Sequence, residues 1–151
     1  MYQRILVPVE HSDYDEVILD HVRKLAQQCG GSSIVLIHVA DGWVARNIQP
    51  LELRESEEMK ADREYIEAIA DSLETDGFQV EAILAGGDPA TEIAATAQRE
   101  HCDLIAMATH GHRGLSDVLR GSVASHLRHI SMVPVLMVRG DPTPVHPRPA
   151  I

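Results

Sequence analysis

The chain has two cysteines, two lysines and no apolar run long enough to cross a bilayer, and each scarcity closes off a class of function. Cys29 and Cys102 are too few and too far apart for a disulfide framework or a zinc spacing. Each falls near the end of a helical pattern and reads as a small, partly buried hydrophobe. Lys24 and Lys60 are the only lysines. None follows a glycine-rich loop as a Walker motif requires, and none lies near a fifth strand as a response regulator requires. Without a long apolar stretch or a signal-peptide pattern, the expectation is a soluble, cytoplasmic protein with no membrane partner. Positive charge is short as well. Lys and Arg number 13 against 23 Asp and Glu, a net charge of −10, which disfavours nucleic acid as a partner.

What remains is an ordinary globular composition: 151 residues, 44% hydrophobic and 24% charged, enough for one domain with a real core. Charge is unevenly spread. Residues 52–76 carry ten acids against Arg54, Lys60 and Arg63, whereas residues 109–139 carry Arg113, Arg120, Arg128 and Arg139 against Asp117 alone. A locally basic segment in an acidic protein suits a small anionic ligand.

Periodicity divides the chain into alternating elements. Arg4–Val9 is a continuous apolar run and predicts a strand buried on both faces. Ser12 then caps a helix with Val17, Ile18, Val22, Leu25, Ala26 and Cys29 at helical spacing, stopped by Gly30-Gly31. Ile34–Val39 is a second strand. Residues 40–54 look irregular; Trp43, Ile48 and Leu51 there read either as a lid or as a packed loop. A long acidic helix with Met59, Ile66, Ile69, Ala70 and Leu73 on one stripe ends near Asp76-Gly77. Gln79–Leu84 is a third strand, and Gly86-Gly87-Asp88-Pro89 turns into a helix bearing Ile93, Ala94 and Ala97. Asp103–Ala108 is a fourth strand. Ser122–Ile130 is helical with Val123, Leu127 and Ile130 inward, and Met132–Val138 is the last strand. Alternating strands and helices with short links predict a parallel sheet covered on both faces. Pro134 inside the last strand removes a ladder donor and places that strand at an edge. An apolar edge invites a second copy, so a homodimer through Val133–Val138 is expected. After the domain of residues 1–140, the tail 141–151 contains Pro142, Pro144, Pro147 and Pro149 and reads as extended or disordered.

The segment richest in chemistry is Ala108-Thr109-His110-Gly111-His112-Arg113-Gly114, followed at a distance by Gly121-Ser122-Val123. Glycines between a strand and a helix expose main-chain N–H groups that can surround an anion, and a helix N-terminus adds partial positive charge. Gly111 and Gly114 permit positive φ and close approach to phosphate oxygens; an ordinary turn is the plainer alternative. Ser122 reads as a phosphate-binding hydroxyl, as a helix N-cap, or as both. Arg113 would neutralise phosphate charge with its forked donors, or be a solvated surface residue. His110 and His112 are too few for a metal site, which needs three or four ligands.

The apolar strand Ile5–Val9, the strand ending His38-Val39, the turn Gly87-Asp88-Pro89, the run Thr109-His110-Gly111 through Gly121-Ser122-Val123, and the closing Val133-Pro134-Val135-Leu136-Met137-Val138 together resemble the universal stress protein family over residues 3–139. The resemblance implies an α/β fold: an open five-stranded parallel sheet in the order 3-2-1-4-5 with helices on both faces, Rossmann-like, of the adenine nucleotide alpha hydrolase type. It implies dimers through the last strand. It also implies ATP bound through Gly, two residues, Gly, nine residues, then Gly-Ser. Gly111 and Gly121-Ser122 match that spacing. Ala108 stands where the first glycine would be, and Glu10 stands where ATP-binding relatives usually carry aspartate.

On this resemblance, Pro8, Val9, Glu10, Val39, Ala108, His110, Gly111, His112, Arg113, Gly114, Gly121, Ser122 and Val123 would contact the nucleotide, Val39 through its main chain at the adenine edge, with Mg²⁺ arriving with ATP. Glu10 would accept from ribose hydroxyls or hold the ion. With strand 1 between strands 2 and 4, the chain leaves strands 1 and 4 in opposite directions, and ligands of open α/β sheets bind in such a crevice. The expected function is a nucleotide-dependent stress-response or signalling module that reports to a protein partner. A nucleotide-free interaction protein and a slow ATPase are the alternatives; no hydrolytic set of residues stands out.

Overall fold

Five runs of β-branched and other apolar residues pair side by side in the computed structural model, which describes residues 1–41, 57–110 and 115–140, with side chains for 1–40, 57–109 and 123–140. In chain order the elements are β1 (Arg4–Pro8), α1 (Tyr14–Gln28), β2 (Ser33–Asp41), α2 (Glu57–Thr75), β3 (Val80–Gly87), α3 (Pro89–Arg99), β4 (Leu104–His110), α4 (Leu115–Ile130) and β5 (Val135–Gly140). The strands form one sheet in the order β3-β2-β1-β4-β5, and every pairing is parallel. This is the order implied by the family resemblance.

Successive strand residues point to opposite faces, so each central strand feeds two cores. Ile5, Val7, Ile34, Leu36, Leu104 and Ala106 join Ile18 and Val22 of α1 and Ile66 and Leu73 of α2. Leu6, Val35, Ile37, Ile105 and Met107 join Ile93 and Ala97 of α3 and Leu127 of α4. Cys102 packs in this second core, and burial pushes its thiol up to about 11, leaving it inert at neutral pH. Cys29 and Cys102 are both free.

Four sequence expectations change. Ser12 does not cap α1. The cap position is Asp13, without a side-chain cap, and Asp15 from the first turn takes over the neighbouring amides. The last helix begins at Leu115, not Ser122. Gly121 is carried inside the helix, at a cost of about 1 kcal/mol relative to alanine, so Ser122 is not at a helix N-terminus. Pro134 lies just before β5, where its carbonyl still accepts from Ile105 N at 3.0 Å; β5 is an edge strand that keeps its own donors. Ile130 is 37% exposed because the helix ends there. Trp43, Ile48, Leu51 and the tail 141–151 lie outside the described residues.

Helix α3 starts as its turn chemistry dictates. Asp88 is the N-cap, accepting from Thr91 N at 3.0 Å and from the Thr91 hydroxyl at 2.6 Å, with Pro89 in the first turn. Those bonds hold the Asp88 carboxyl below its ordinary range.

Candidate functional site

The site follows from where β1 and β4 part company. β1 pairs with β2 from Arg4 to Pro8 but with β4 only at Ile5 and Leu6. Val9 N donates to Ile37 O, on the β2 side. By the alternation of a strand, the N–H missing from Pro8 falls on the β4 side, where it ends the ladder. The two strands separate at their carboxyl ends, and a cavity of about 280 Å³ opens there, at the switch point of the sheet.

Pro8, Val9, Glu10, Val39, Ala108 and Val123 line this cavity, so six of the candidate residues are brought together. His110 closes β4, while Gly121 and Ser122 are in α4; their side chains, and the whole of Gly111, His112, Arg113 and Gly114, lie outside the described residues. Ala108 pairs with Val138 in the ladder and has no positive φ. Its backbone therefore needs no glycine, and only the space taken by its methyl is at issue. Sequence reasoning missed Ile37, His38, Pro89, Ile93, Met107, Thr109 and Ala124 as lining residues. Ile37 and Met107 were legible through strand alternation, since both share the face of Leu6 and Ile105. The walls are chiefly apolar, with a few polar side chains among them, the character of a small-molecule site.

Val39 has a particular orientation. Ile34 N donates to Gln79 O of the β3 side, and Ile37 O accepts from the β1 side. Odd-numbered residues of β2 thus turn their main chain toward β1. β1 ends at Pro8, so the N–H and C=O of Val39 face the crevice beyond the strand end.

The loop after β1 is built around a carboxylate from the first turn of α1. Asp15 is 1% exposed. Its oxygens accept from the main-chain N–H groups of Glu10 (2.9 Å), His11 (2.8 Å) and Ser12 (3.1 Å) and from the Tyr65 hydroxyl (2.7 Å). His11 sits in left-handed backbone, φ 63°, a conformation that costs an L-residue on the order of 1 kcal/mol and that turns its N–H inward to Asp15. The three loop amides form an anion nest already filled by the protein's own carboxylate.

Burial, then the bond to Asp15, pushes the Tyr65 hydroxyl well above the usual tyrosine range. The folded protein therefore holds this proton more tightly than the unfolded chain. The contribution to stability is complete below about pH 10 and falls as pH rises above it, where only the unfolded tyrosine ionises. Spectrophotometric titration is expected to find one tyrosine ionising later than the others, and Tyr65→Phe is expected to remove that late step.

A second polar cluster joins α2 to the strand ends. His38 Nδ1 lies 2.9 Å from Val9 O, and a carbonyl only accepts, so Nδ1–H is the donor. His38 Nε2 lies 3.2 Å from Asp62 Oδ2. The other oxygen of Asp62 meets His11 Nδ1 at 2.8 Å, and the His11 ring stacks on Tyr65 with centroids 3.9 Å apart. Glu10 receives a longer contact from the Ser12 hydroxyl, 3.4 Å. No group of ligating side chains suited to a metal ion occurs among the described residues.

The chain is similar to known proteins over almost its whole length. Universal stress protein MJ0577 of Methanocaldococcus jannaschii is 31% identical over 156 residues, covering 92% of this chain and 96% of the relative. A structure of MJ0577 superposes with a TM-score of 0.77 at 32% identity, covering 93% of this chain and 98% of that one. A universal stress protein in complex with cAMP superposes at 0.64 with 18% identity, covering 91% and 97%. One from Archaeoglobus fulgidus in complex with dAMP superposes at 0.65 with 20% identity, covering 91% and 98%. The model of the universal stress protein family matches residues 1–139, and with the sheet order and the crevice between β1 and β4 this establishes that the chain belongs to that family.

Proposed function

We propose that this protein binds ATP, or another adenine nucleotide, in the crevice between β1 and β4 and acts as a nucleotide-dependent stress-response module in the cytoplasm. The observation that carries this reading is the cavity itself: apolar walls from Ile37, Ile93 and Met107 beside the main chain of Val39. A purine ring would stack between those walls while Val39 supplies a donor and an acceptor to its edge. Complexes of family members with cAMP and dAMP support an adenine base there. The phosphates would run toward residues 110–114, before α4, and residues 121–123 within it, with Mg²⁺ arriving with the nucleotide. Glu10 would face the ribose.

β5 pairs with β4 on one side and has no strand on the other among the described residues. Half-buried Val135–Val138 and 80% exposed Met132 support a homodimer along this edge, which would leave the crevice of each copy open to solvent and to a protein partner.

The test is mass spectrometry of small molecules released from freshly purified, denatured protein, followed by calorimetric titration with Mg-ATP and with AMP. An adenine nucleotide recovered near one per chain, or saturable binding of either, is the expected result. Protein that carries no nucleotide and gives no heat with either ligand would instead be a nucleotide-free interaction protein.

A further inference from the structure

In a continued parallel ladder, the N–H of Val39 would donate to the carbonyl of Val9, extending β1 against β2 by one more bond. The structure does something else. That carbonyl accepts from the ring of His38, 2.9 Å away, and no bond from Val39 N to Val9 O occurs among the described residues. Asp62 backs the ring, its Oδ2 3.2 Å from Nε2, and this contact is a hydrogen bond when Nε2 carries a proton as well as Nδ1. His38 and Asp62 are both largely withdrawn from solvent, with side chains 13% and 14% exposed. Asp62 is itself fixed by His11 at 2.8 Å.

We infer that His38 and Asp62 are positioning residues that hold the end of β1 open, so that the N–H of Val39 stays available to a ligand. The side chain of His38 satisfies the Val9 carbonyl from the residue next to Val39. The strand end therefore has no uncompensated acceptor, and the ladder has no reason to close over the crevice. Asp62 acts through His38: without its carboxylate the ring loses one of its two fixed contacts and is free to turn off Val9. Because Asp62 stands on α2, the availability of the recognition edge depends on how that helix is docked. Occupancy of the pocket and the position of α2 are thus linked through one carboxylate. The inference rests on the nucleotide reading for the identity of the ligand, but not for the state of Val39.

Two measurements separate the two readings. Amide hydrogen exchange in ligand-free protein reads Val39 directly. The expected result is a Val39 amide that exchanges faster than its strand neighbours Leu36 and Ile37 in the native protein and becomes protected in Asp62→Asn and His38→Ala. Calorimetric affinity for Mg-ATP or AMP, whichever binds, is expected to fall about tenfold in both variants, the loss of one well-placed hydrogen bond to the ligand. His38→Gln, whose side-chain amide can donate to the same carbonyl, is expected to recover most of the affinity, which a merely space-filling role for the ring would not give. Val39 already protected in the native free protein, or native affinity in both variants, would overturn the inference. If the native protein binds no nucleotide, the functional reading falls, and exchange at Val39 alone decides this one. If either variant fails to fold, the native exchange pattern and His38→Gln still decide it.

Discussion

Asp15→Ala is expected to be the most destabilising single change near the site, lowering unfolding free energy by about 3–4 kcal/mol. Asp15 is almost wholly buried and gathers three main-chain N–H groups and one hydroxyl. Alanine leaves all four donors without a partner, and each desolvated donor costs about 1–3 kcal/mol, less where water can enter beside the half-buried loop. His11 would also lose what holds it at positive φ. Tyr65→Phe removes only one donor and its partner keeps three, so its expected cost is about 1 kcal/mol. Denaturant unfolding of the two variants measures both. A loss under about 1 kcal/mol for Asp15→Ala would mean that the loop amides find water without penalty.

The second large effect concerns Ala108, which lines the crevice. Ala108→Leu is expected to weaken adenine nucleotide binding by about a hundredfold, because the added carbons and the ligand compete for the same volume and overpacking of this kind costs about 1–3 kcal/mol. Ala108→Gly is expected to move binding and stability in opposite directions. Removing the methyl enlarges the pocket and strengthens binding severalfold, whereas glycine within a strand costs about 0.5–1 kcal/mol in stability. Titration calorimetry and thermal unfolding of both variants provide the readout. Unchanged affinity in Ala108→Leu would take the ligand out of this cavity.

Most of the architecture was legible because strands and helices announce themselves differently. Ile5–Val9 and Ile34–Ile37 are short continuous apolar runs, the pattern of a strand covered on both faces, and Asp88-Pro89 is a helix start written in two residues. The start of α4 was misread because Gly121 looks like a break, yet one glycine is a weak penalty against the packing of a whole helix. The crevice was placed at the carboxyl ends of β1 and β4 because the chain leaves them in opposite directions, although each strand ends one to three residues from its expected bound.

The polar scaffold behind the site was not legible. Asp15 looks like any acidic first-turn residue, Asp62 like any carboxylate on an acidic helix, and His38 like one more residue of a strand. The roles of Asp62 and His38 arise from pairings 24 to 51 residues apart in the chain, His38 with Asp62 and His11 with Asp62, and one sequence carries no local mark of such pairings. A left-handed His11 is equally unforeseeable, because histidine is permitted but not required there.

The filled nest behind residues 10–12 has a kinetic consequence. A loop whose amides are already spoken for does not have to be ordered when a guest arrives, so the entropy of fixing it is settled during folding rather than charged against encounter. Capture at this mouth should then carry no ordering cost on the β1 side, and differences in residence time among ligands should not trace to the loop after β1.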